Sequence, residues 1–157
     1  MNVERIFICP EHGMELFEFE RITVKTGLGV VGDRNFGKST HPGQNITLVE
    51  AEEIELFCSE NQLPIDLTIT RRNIVTRGVR LNSLENKEFS IGTVRLRGVE
   101  LCEPCSLLAE NLSTDSLPAK EVIRRWLQRG GLRADVLSNG EIIRGSHIAT
   151  IAKKGTQ

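Results

Sequence analysis

Residues 93–112 read TVRLRGVELCEPCSLLAENL, and this stretch carries the strongest indication of fold and chemistry. Apolar and charged residues alternate from position 93 to 102, which predicts a strand. The apolar run 106–112 that follows predicts a short helix. Pro104 suits the first position of that helix, because its missing N–H needs no partner there. We therefore expect the cysteine motif at 102–105 to join a strand to a helix.

The rest of the chain adds short strands and two more helices. The predicted strands are 4–9, 14–25, 45–48, 73–77, 88–91, 133–137, 141–144 and 147–152. Thr47 and Glu50 fit a capping box that opens a helix to about residue 60, and residues 118–129 predict another helix. Ser138-Asn139-Gly140 indicates a hairpin turn between two strands. Many short strands with few helices predict a mainly β fold, either a sandwich or a barrel.

Length and composition narrow the class of protein. With 157 residues, the chain is expected to form one domain over 1–157. A net charge of −1 does not favour a nucleic-acid partner. We expect no membrane span, because no apolar run approaches the roughly 18 residues that one needs. The N-terminus has no apolar signal-peptide core, so we expect a cytoplasmic protein whose four cysteines are mostly reduced.

The two cysteines of the central motif are expected to differ. Cys105 would lie in the first helical turn, where free N–H groups stabilise a thiolate, the form that attacks, carries sulfur or binds metal. Cys102 shares strand parity with Val94 and Leu96, which predicts that it faces the core unless a bulge at Gly98 changes the parity. Cys105 is therefore the candidate reactive residue.

Two motif matches compete with this interpretation. Residues 32–39, GDRNFGKS, fit the phosphate-loop pattern, but Pro42-Gly43 prevents the helix that such a loop requires, so we predict no ATP site. Cys9 and His12 could join Cys102 and Cys105 in a tetrahedral zinc site. The alternative for that pair is a core cysteine and a solvated loop histidine.

Three segments together resemble the MOSC domain, the molybdenum-cofactor sulfurase C-terminal module. They are RRNIVTRGVRLN at 71–82, FSIG at 89–92 and GVELCEPC at 98–105. Segments 29–34, 44–50 and 131–142 fit the same family, so the resemblance covers nearly the whole chain and suggests a stand-alone member. One departure is Gly145-Ser146, where Gly-Asp is expected in relatives.

The resemblance implies a fold and a set of site residues. It implies a closed or nearly closed β-barrel with peripheral helices. It places the family's hallmark cysteine at Cys105, which would carry sulfur as a persulfide or ligate molybdenum. It implies that Arg71 and Asn73 hold the pterin phosphate of the molybdenum cofactor. At family level it also implies pyridoxal phosphate binding, and its partners would be a sulfur donor or molybdenum-cofactor enzymes.

The residues themselves are compatible with a small anionic ligand. Arg71 and Asn73 share strand parity, so both side chains would face one side, and a guanidinium grips phosphate bidentately. The loop residues Arg34, Lys38 and His41 could line the same mouth. Two other functions remain open: a thiol–disulfide oxidoreductase using Cys102 and Cys105, and a non-catalytic accessory module of cofactor synthesis.

Overall fold

The structure, a computed structural model, describes residues 1–152. Within them lie eleven strands and three α-helices. The strands are β1 (Asn2–Ile8), β2 (Phe17–Glu18), β3 (Arg21–Lys25), β4 (Gly29–Val30), β5 (Ile46–Glu50), β6 (Ile74–Arg77), β7 (Glu88–Ile91), β8 (Val94–Leu101), β9 (Leu132–Val136), β10 (Gly140–Ile143) and β11 (Ile148–Thr150). The helices are α1 (Ala51–Glu60), α2 (Ser106–Leu112) and α3 (Ala119–Trp126), and a 3₁₀ turn spans Leu81–Leu84.

The strands form two sheets. Eight strands pair in the order β11-β7-β8-β9-β5-β6-β1-β2, and three pair in the order β10-β3-β4. β5 and β6 run parallel, and α1 lies between them in the chain, so this part of the sheet is a βαβ unit. The other pairings are antiparallel.

The large sheet is strongly curled but open, so the expected closed barrel is only partly confirmed. The three-stranded sheet contributes Ile22, Val24, Val30 and Ile142 to the same apolar core as the large sheet. That core is therefore enclosed by two sheets rather than by one sheet paired with itself. The mainly β architecture with peripheral helices is as the sequence predicts.

A second apolar cluster lies on the other face of the large sheet, beneath the helices. Neighbouring residues of one strand point to opposite faces, so Leu48 joins the first core while Val49 joins the second. Trp126 of α3 and Phe57 of α1 pack in the second cluster with ring centroids 4.9 Å apart. No helix among residues 1–152 is long and apolar enough to cross a membrane.

Several local predictions need correction. The expected capping box is wrong, because Thr47 lies inside β5 and the residue before α1 is Glu50, which makes no side-chain cap hydrogen bond. The expected hairpin around Asn139 is also wrong, since β9 pairs with β5 and β8 whereas β10 pairs with β3. The predicted strand 14–25 is divided into β2 and β3, and the helix predicted for 118–129 ends at Trp126.

Candidate functional site

The cysteine motif joins β8 to α2, as the sequence predicts. Cys105 is the N-cap residue of α2, and its Sγ accepts a hydrogen bond from the Leu108 N–H at 3.5 Å. Pro104 therefore lies outside the helix, two residues before its first residue Ser106, and the expectation that Pro104 takes the first helical position is wrong. The Cys105 side chain is exposed, whereas Cys9, Cys58 and Cys102 are buried. Of the four thiols, Cys105 is the one that an external reagent can reach directly.

Cys102 is fully buried, but not for the reason that strand parity suggests. A register shift between Gly98 and Glu100 marks a bulge that reverses the alternation. Leu101, rather than Cys102, consequently packs against the core between the sheets. The Cys102 N–H donates to the Gly131 carbonyl at 2.8 Å, which fixes the end of β8 against the turn before β9. Burial raises the pKa of the Cys102 thiol.

Arg71 precedes the strand on which it was predicted. β6 begins at Ile74, and Arg71 has a φ of 58°, in the left-handed region, so the expected parity of Arg71 with Asn73 is wrong. Its guanidinium donates to the Met14 carbonyl and to Cys9 Sγ, the latter at 3.3 Å. The Arg71 side chain therefore fastens the segment after β1.

Asn73 is the centre of a buried hydrogen-bond network. Its Oδ1 accepts from the backbone N–H and the hydroxyl of Thr47 at 3.1 and 3.2 Å. Its Nδ2 donates to the Phe7 carbonyl and to Asp33 Oδ1, both at 3.2 Å. An amide has two acceptor sites and two donors, so all four are used within the protein. The structure thus gives Asn73 an internal role, while ligand binding by this residue stays a prediction.

The loop residues predicted to line the site donate backbone N–H hydrogen bonds within the protein. The N–H groups of Arg34 and Lys38 donate to Cys9 O and Asn35 O at 2.9 and 3.0 Å. The His41 N–H donates to Gln44 Oε1 at 3.1 Å. Lys38 and His41 are exposed and Arg34 is half-buried. Within residues 1–152, no side-chain hydrogen bond or ion pair links these three residues to Cys105.

The same loop lacks the structure of a phosphate loop. No helix follows Ser39, since the next element is β5, which begins at Ile46. The loop's N–H groups at Asp33, Phe36 and Gly37 donate to backbone carbonyls, so they do not form a free cradle for phosphate. The prediction that this sequence match is not an ATP site therefore has structural support.

Two arginines that the sequence analysis did not select lie close to the cysteine motif. The Arg72 Nε–H donates to the Gly130 carbonyl at 3.2 Å. A Cβ added to Gly130 would lie 2.5 Å from the Cys102 carbonyl oxygen, so this backbone touches the motif. Arg133 pairs in register with Glu100 on β8, and their charged groups approach to 3.9 Å. Both guanidiniums act electrostatically on the Cys102 sulfur and oppose the effect of burial on its pKa.

No zinc site forms from the cysteines and histidine considered above. Within the described residues, no group of three or more His, Cys, Asp or Glu side chains is placed to hold a metal ion. Cys9 Sγ instead donates to the Glu11 carbonyl at 2.9 Å, and His12 is exposed. The structure thus agrees with the alternative to a zinc site, in which Cys9 is a buried cysteine and His12 a solvated loop residue.

Comparison with known proteins decides the family. The MOSC domain family model matches residues 35–149, well over half of the sequence. The chain belongs to the MOSC domain family. The fold agrees with the crystal structure of the YuaD protein from Bacillus subtilis, with a TM-score of 0.81 and 19% identity over 97% of this chain and 96% of that one.

Two further crystal structures share the fold. YiiM from Geobacillus stearothermophilus has a TM-score of 0.70 and 15% identity, over 96% of this chain and 75% of that protein. YiiM from Escherichia coli has a TM-score of 0.67 and 13% identity, over 99% of this chain and 72% of that protein. No curated protein sequence matches the chain.

The MOSC family is associated with molybdenum-cofactor biology, and the candidate site fits that cofactor only in part. Cys105 offers one exposed thiol as a ligand for molybdenum. At the phosphate end, the amide of Asn73 is fully used inside the protein. The Arg71 guanidinium gives its two Nη2–H groups to Met14 O and Cys9 Sγ, and its other three N–H groups have no partner among the described residues. Of the two residues that the resemblance assigns to the pterin phosphate, Arg71 therefore has donors left for it and Asn73 has none.

Proposed function

We propose that this MOSC protein carries sulfur as a persulfide on Cys105. The observation that carries the proposal is the contrast within one motif: Cys105 is exposed at the end of a helix, whereas Cys102 is completely buried. A sulfur carrier must meet both a donor and an acceptor, so its thiol has to be accessible. Membership of a family associated with molybdenum-cofactor biology favours a molybdenum-cofactor enzyme or its synthesis as the destination of the sulfur.

The chemistry requires one nucleophilic step. The Cys105 thiolate attacks a sulfane sulfur, a new S–S bond forms at Sγ, and the donor's leaving group departs with the electron pair of the broken bond. The Leu108 N–H donates a hydrogen bond to Sγ at 3.5 Å and orients the sulfur at the start of α2.

The thiol–disulfide alternative is less well supported. The chain from Cys102 to Cys105 contains neither a turn nor a bend, and Cys105 has extended backbone angles of −101° and 166°. Three residues reach up to about 10 Å when fully extended, whereas a disulfide needs Cα atoms about 4.4–6.8 Å apart. Forming that bond would require the segment to rearrange. A docking module without chemistry remains the other alternative.

Mass spectrometry of the protein purified from its native host, together with metal analysis, tests the proposal. We expect an added sulfur atom on Cys105 that is removed by a reductant and is missing from Cys105→Ser. Cys102→Ser, which alters the buried neighbour, should still carry it. Brief alkylation of the native protein should modify Cys105 first. Added sulfur that persists in Cys105→Ser, or fast alkylation that depends on Cys102, would refute the assignment.

A further inference from the structure

Arg72 and Arg133 reach the cysteine motif from different parts of the sheet. Arg72 belongs to the loop before β6, and its Nε–H is bonded to Gly130 O, in the turn that packs against Cys102. Arg133 is on β9, two residues after Gly131, whose carbonyl accepts the Cys102 N–H at 2.8 Å. Two guanidiniums are thereby held around one end of the motif, and the exposed Cys105 follows three residues later.

Both arginines retain hydrogen-bond donors that have no partner among residues 1–152. A guanidinium has five N–H groups, and Arg72 commits its Nε–H to the protein. The Arg133 Nε lies 3.9 Å from Glu100 Oε1, beyond hydrogen-bond distance. Among the described residues, the Arg133 guanidinium donates no hydrogen bond. Arg71 commits two of its five N–H groups, both on Nη2, to Met14 O and Cys9 Sγ.

The surrounding charges and backbone favour a small ligand. A Cβ added to Gly43 would lie 3.1 Å from the Arg133 Cβ, so Gly43 packs against Arg133. The loop that contains His41 therefore lies beside the Arg133 side chain. Three acidic groups lie nearby. Glu100 and Glu103 are exposed to water that screens their charge. Asp135 shares a strand face with Arg133, and its Oδ1 accepts a hydrogen bond from the Gly43 N–H at 2.7 Å. Arg72 and Arg133 are half-buried, so a compact oxyanion there would meet two partly desolvated cations.

We propose that Arg72 and Arg133 bind the sulfonate end of a sulfane-sulfur donor of the thiosulfate class and present its outer sulfur to Cys105. This inference rests on the proposed persulfide function of Cys105, because it names the donor for that step. It also places the anion contact on two arginines beside the motif rather than on Asn73, whose two donors are used internally, or on Arg71, which is bonded to Met14 and Cys9.

The step balances without an added oxidant or reductant. The Cys105 thiolate attacks the outer sulfur of thiosulfate, and a bond forms between Sγ and that sulfur. The sulfur–sulfur bond of thiosulfate breaks, and sulfite leaves with its electron pair. One thiolate and one dianion become one persulfide anion and one sulfite dianion. The two guanidiniums oppose the charge of the donor and of the leaving sulfite.

A single-turnover experiment with the full chain tests the inference. The reduced protein is mixed with thiosulfate, released sulfite is measured, and the mass of Cys105 is followed. Hydropolysulfide, which lacks an oxyanion group, is the comparison donor. We expect Arg72→Gln and Arg133→Gln each to lower the rate constant for thiosulfate roughly ten- to a hundredfold, and to affect hydropolysulfide much less. Arg124→Gln, on the exposed face of α3, controls for the loss of one positive charge.

The outcomes separate this inference from the proposed function. If hydropolysulfide loads Cys105 but thiosulfate does not, the donor class is wrong and the persulfide function stands. If neither donor loads Cys105, both proposals fail. A loss with Arg71→Gln that is missing from Arg72→Gln and Arg133→Gln would overturn the assignment of the anion site. Arg72→Lys keeps the charge and should recover part of the thiosulfate rate, which distinguishes anion binding from a defect in folding.

Discussion

The Asn73 side chain links three segments of this protein through hydrogen bonds. It is 7% exposed and bonds to Thr47, Phe7 and Asp33, which lie on three separate segments. Asn73→Ala should lower the free energy of unfolding by about 1–3 kcal/mol, because buried partners lose a hydrogen bond. Asn73→Asp should be worse at neutral pH, since it places a second carboxylate beside Asp33. Urea unfolding measures both.

The exposed Asn139 provides a matched control for that prediction. Its side chain also accepts hydrogen bonds, from the N–H and hydroxyl of Thr26, but in contact with water. Asn139→Ala should therefore cost less than Asn73→Ala. Unchanged stability of Asn73→Ala combined with weaker binding of a pterin phosphate would instead support the ligand-binding role that the family resemblance implies.

At the scale of residues, the sequence predicts what depends on near neighbours. The exposure of Cys105 agrees with its expected place at the start of a helix. Cys102 is buried as expected, but a bulge reverses the strand parity from which that burial was predicted. The position of Arg72 depends on a turn 58 residues later in the chain, at Gly130. No local pattern contains that contact, so sequence reasoning selected the adjacent Arg71.

At the scale of elements, Gly131 sets the approach of β9 to β5. It has a φ of 102°, and an added Cβ would lie 1.9 Å from the Leu48 carbonyl oxygen. Gly131→Ala should cost more than about 4 kcal/mol, because both backbone strain and a collision with a central strand are introduced. It should also speed alkylation of Cys102, whose N–H is bonded to Gly131.

Gly13 separates the two causes. Its φ is 77°, but an added Cβ would have no atom within 4 Å. Gly13→Ala should therefore cost only the strain of a left-handed backbone, about 1–2 kcal/mol. Equal losses in Gly13→Ala and Gly131→Ala during urea unfolding would show that the close approach to Leu48 is unimportant.

Glu50 connects β5 to α1 and is 6% exposed. Burial raises the pKa of its carboxyl, and Arg80 acts in the opposite direction. A raised pKa in the folded state contributes stability at pH values below the unfolded pKa, and that contribution is lost as the pH rises through the folded pKa. The free energy of unfolding of Glu50→Gln, measured against that of the parent protein, should therefore be higher at pH 7 than at pH 4. Denaturation at both pH values measures the difference.

The exposed Glu11 serves as the comparison for Glu50. Glu11→Gln removes the same charge without changing a buried group, so its effect should depend less on pH. Glutamine at position 50 keeps the size of the side chain and an oxygen that can accept from the Leu81 N–H. If the advantage of Glu50→Gln is the same at both pH values, burial of the carboxylate is not a cost to folding.

Strand and helix positions were largely predictable because they follow the alternation of apolar residues. Pairing was less predictable, since the pattern does not say which strand lies beside which. Asn139-Gly140 looks like a hairpin turn, yet the chain leaves the large sheet there and β10 pairs with β3. Gly98 suggested a bulge in β8. The bulge itself is visible only in the pairing of β8 with β9, where the register shifts between Gly98 and Glu100.

At the scale of the whole molecule, curvature is the property that the sequence left undetermined. Short strands with apolar alternation fit a closed barrel and a curled open sheet equally well. Here three strands form a separate sheet, and Val24 and Ile142 from it fill the concave side of the large sheet. An isolated bridge between Asn2 and His147 brings the start of β1 close to the segment before β11.

The two apolar clusters should unfold together, because the same strands build both. β5 places Leu48 in one cluster and Val49 in the other, and β6 does the same with Ile74 and Val75. Trp126, the single tryptophan of the chain, lies in the cluster beneath the helices. Its fluorescence should therefore change at the same urea concentration as the far-ultraviolet circular dichroism, which mainly follows the sheets and helices.

Substitutions on β5 make that prediction sharper. Leu48→Ala and Val49→Ala each weaken one cluster directly, and truncation of a buried aliphatic side chain costs about 2–5 kcal/mol for leucine, with less for the smaller valine. If the clusters form one cooperative unit, either change lowers both the fluorescence and the circular dichroism midpoints by the same amount. Two midpoints that separate in Leu48→Ala or Val49→Ala would show instead that the helical side and the core between the sheets unfold independently, despite the strands they share.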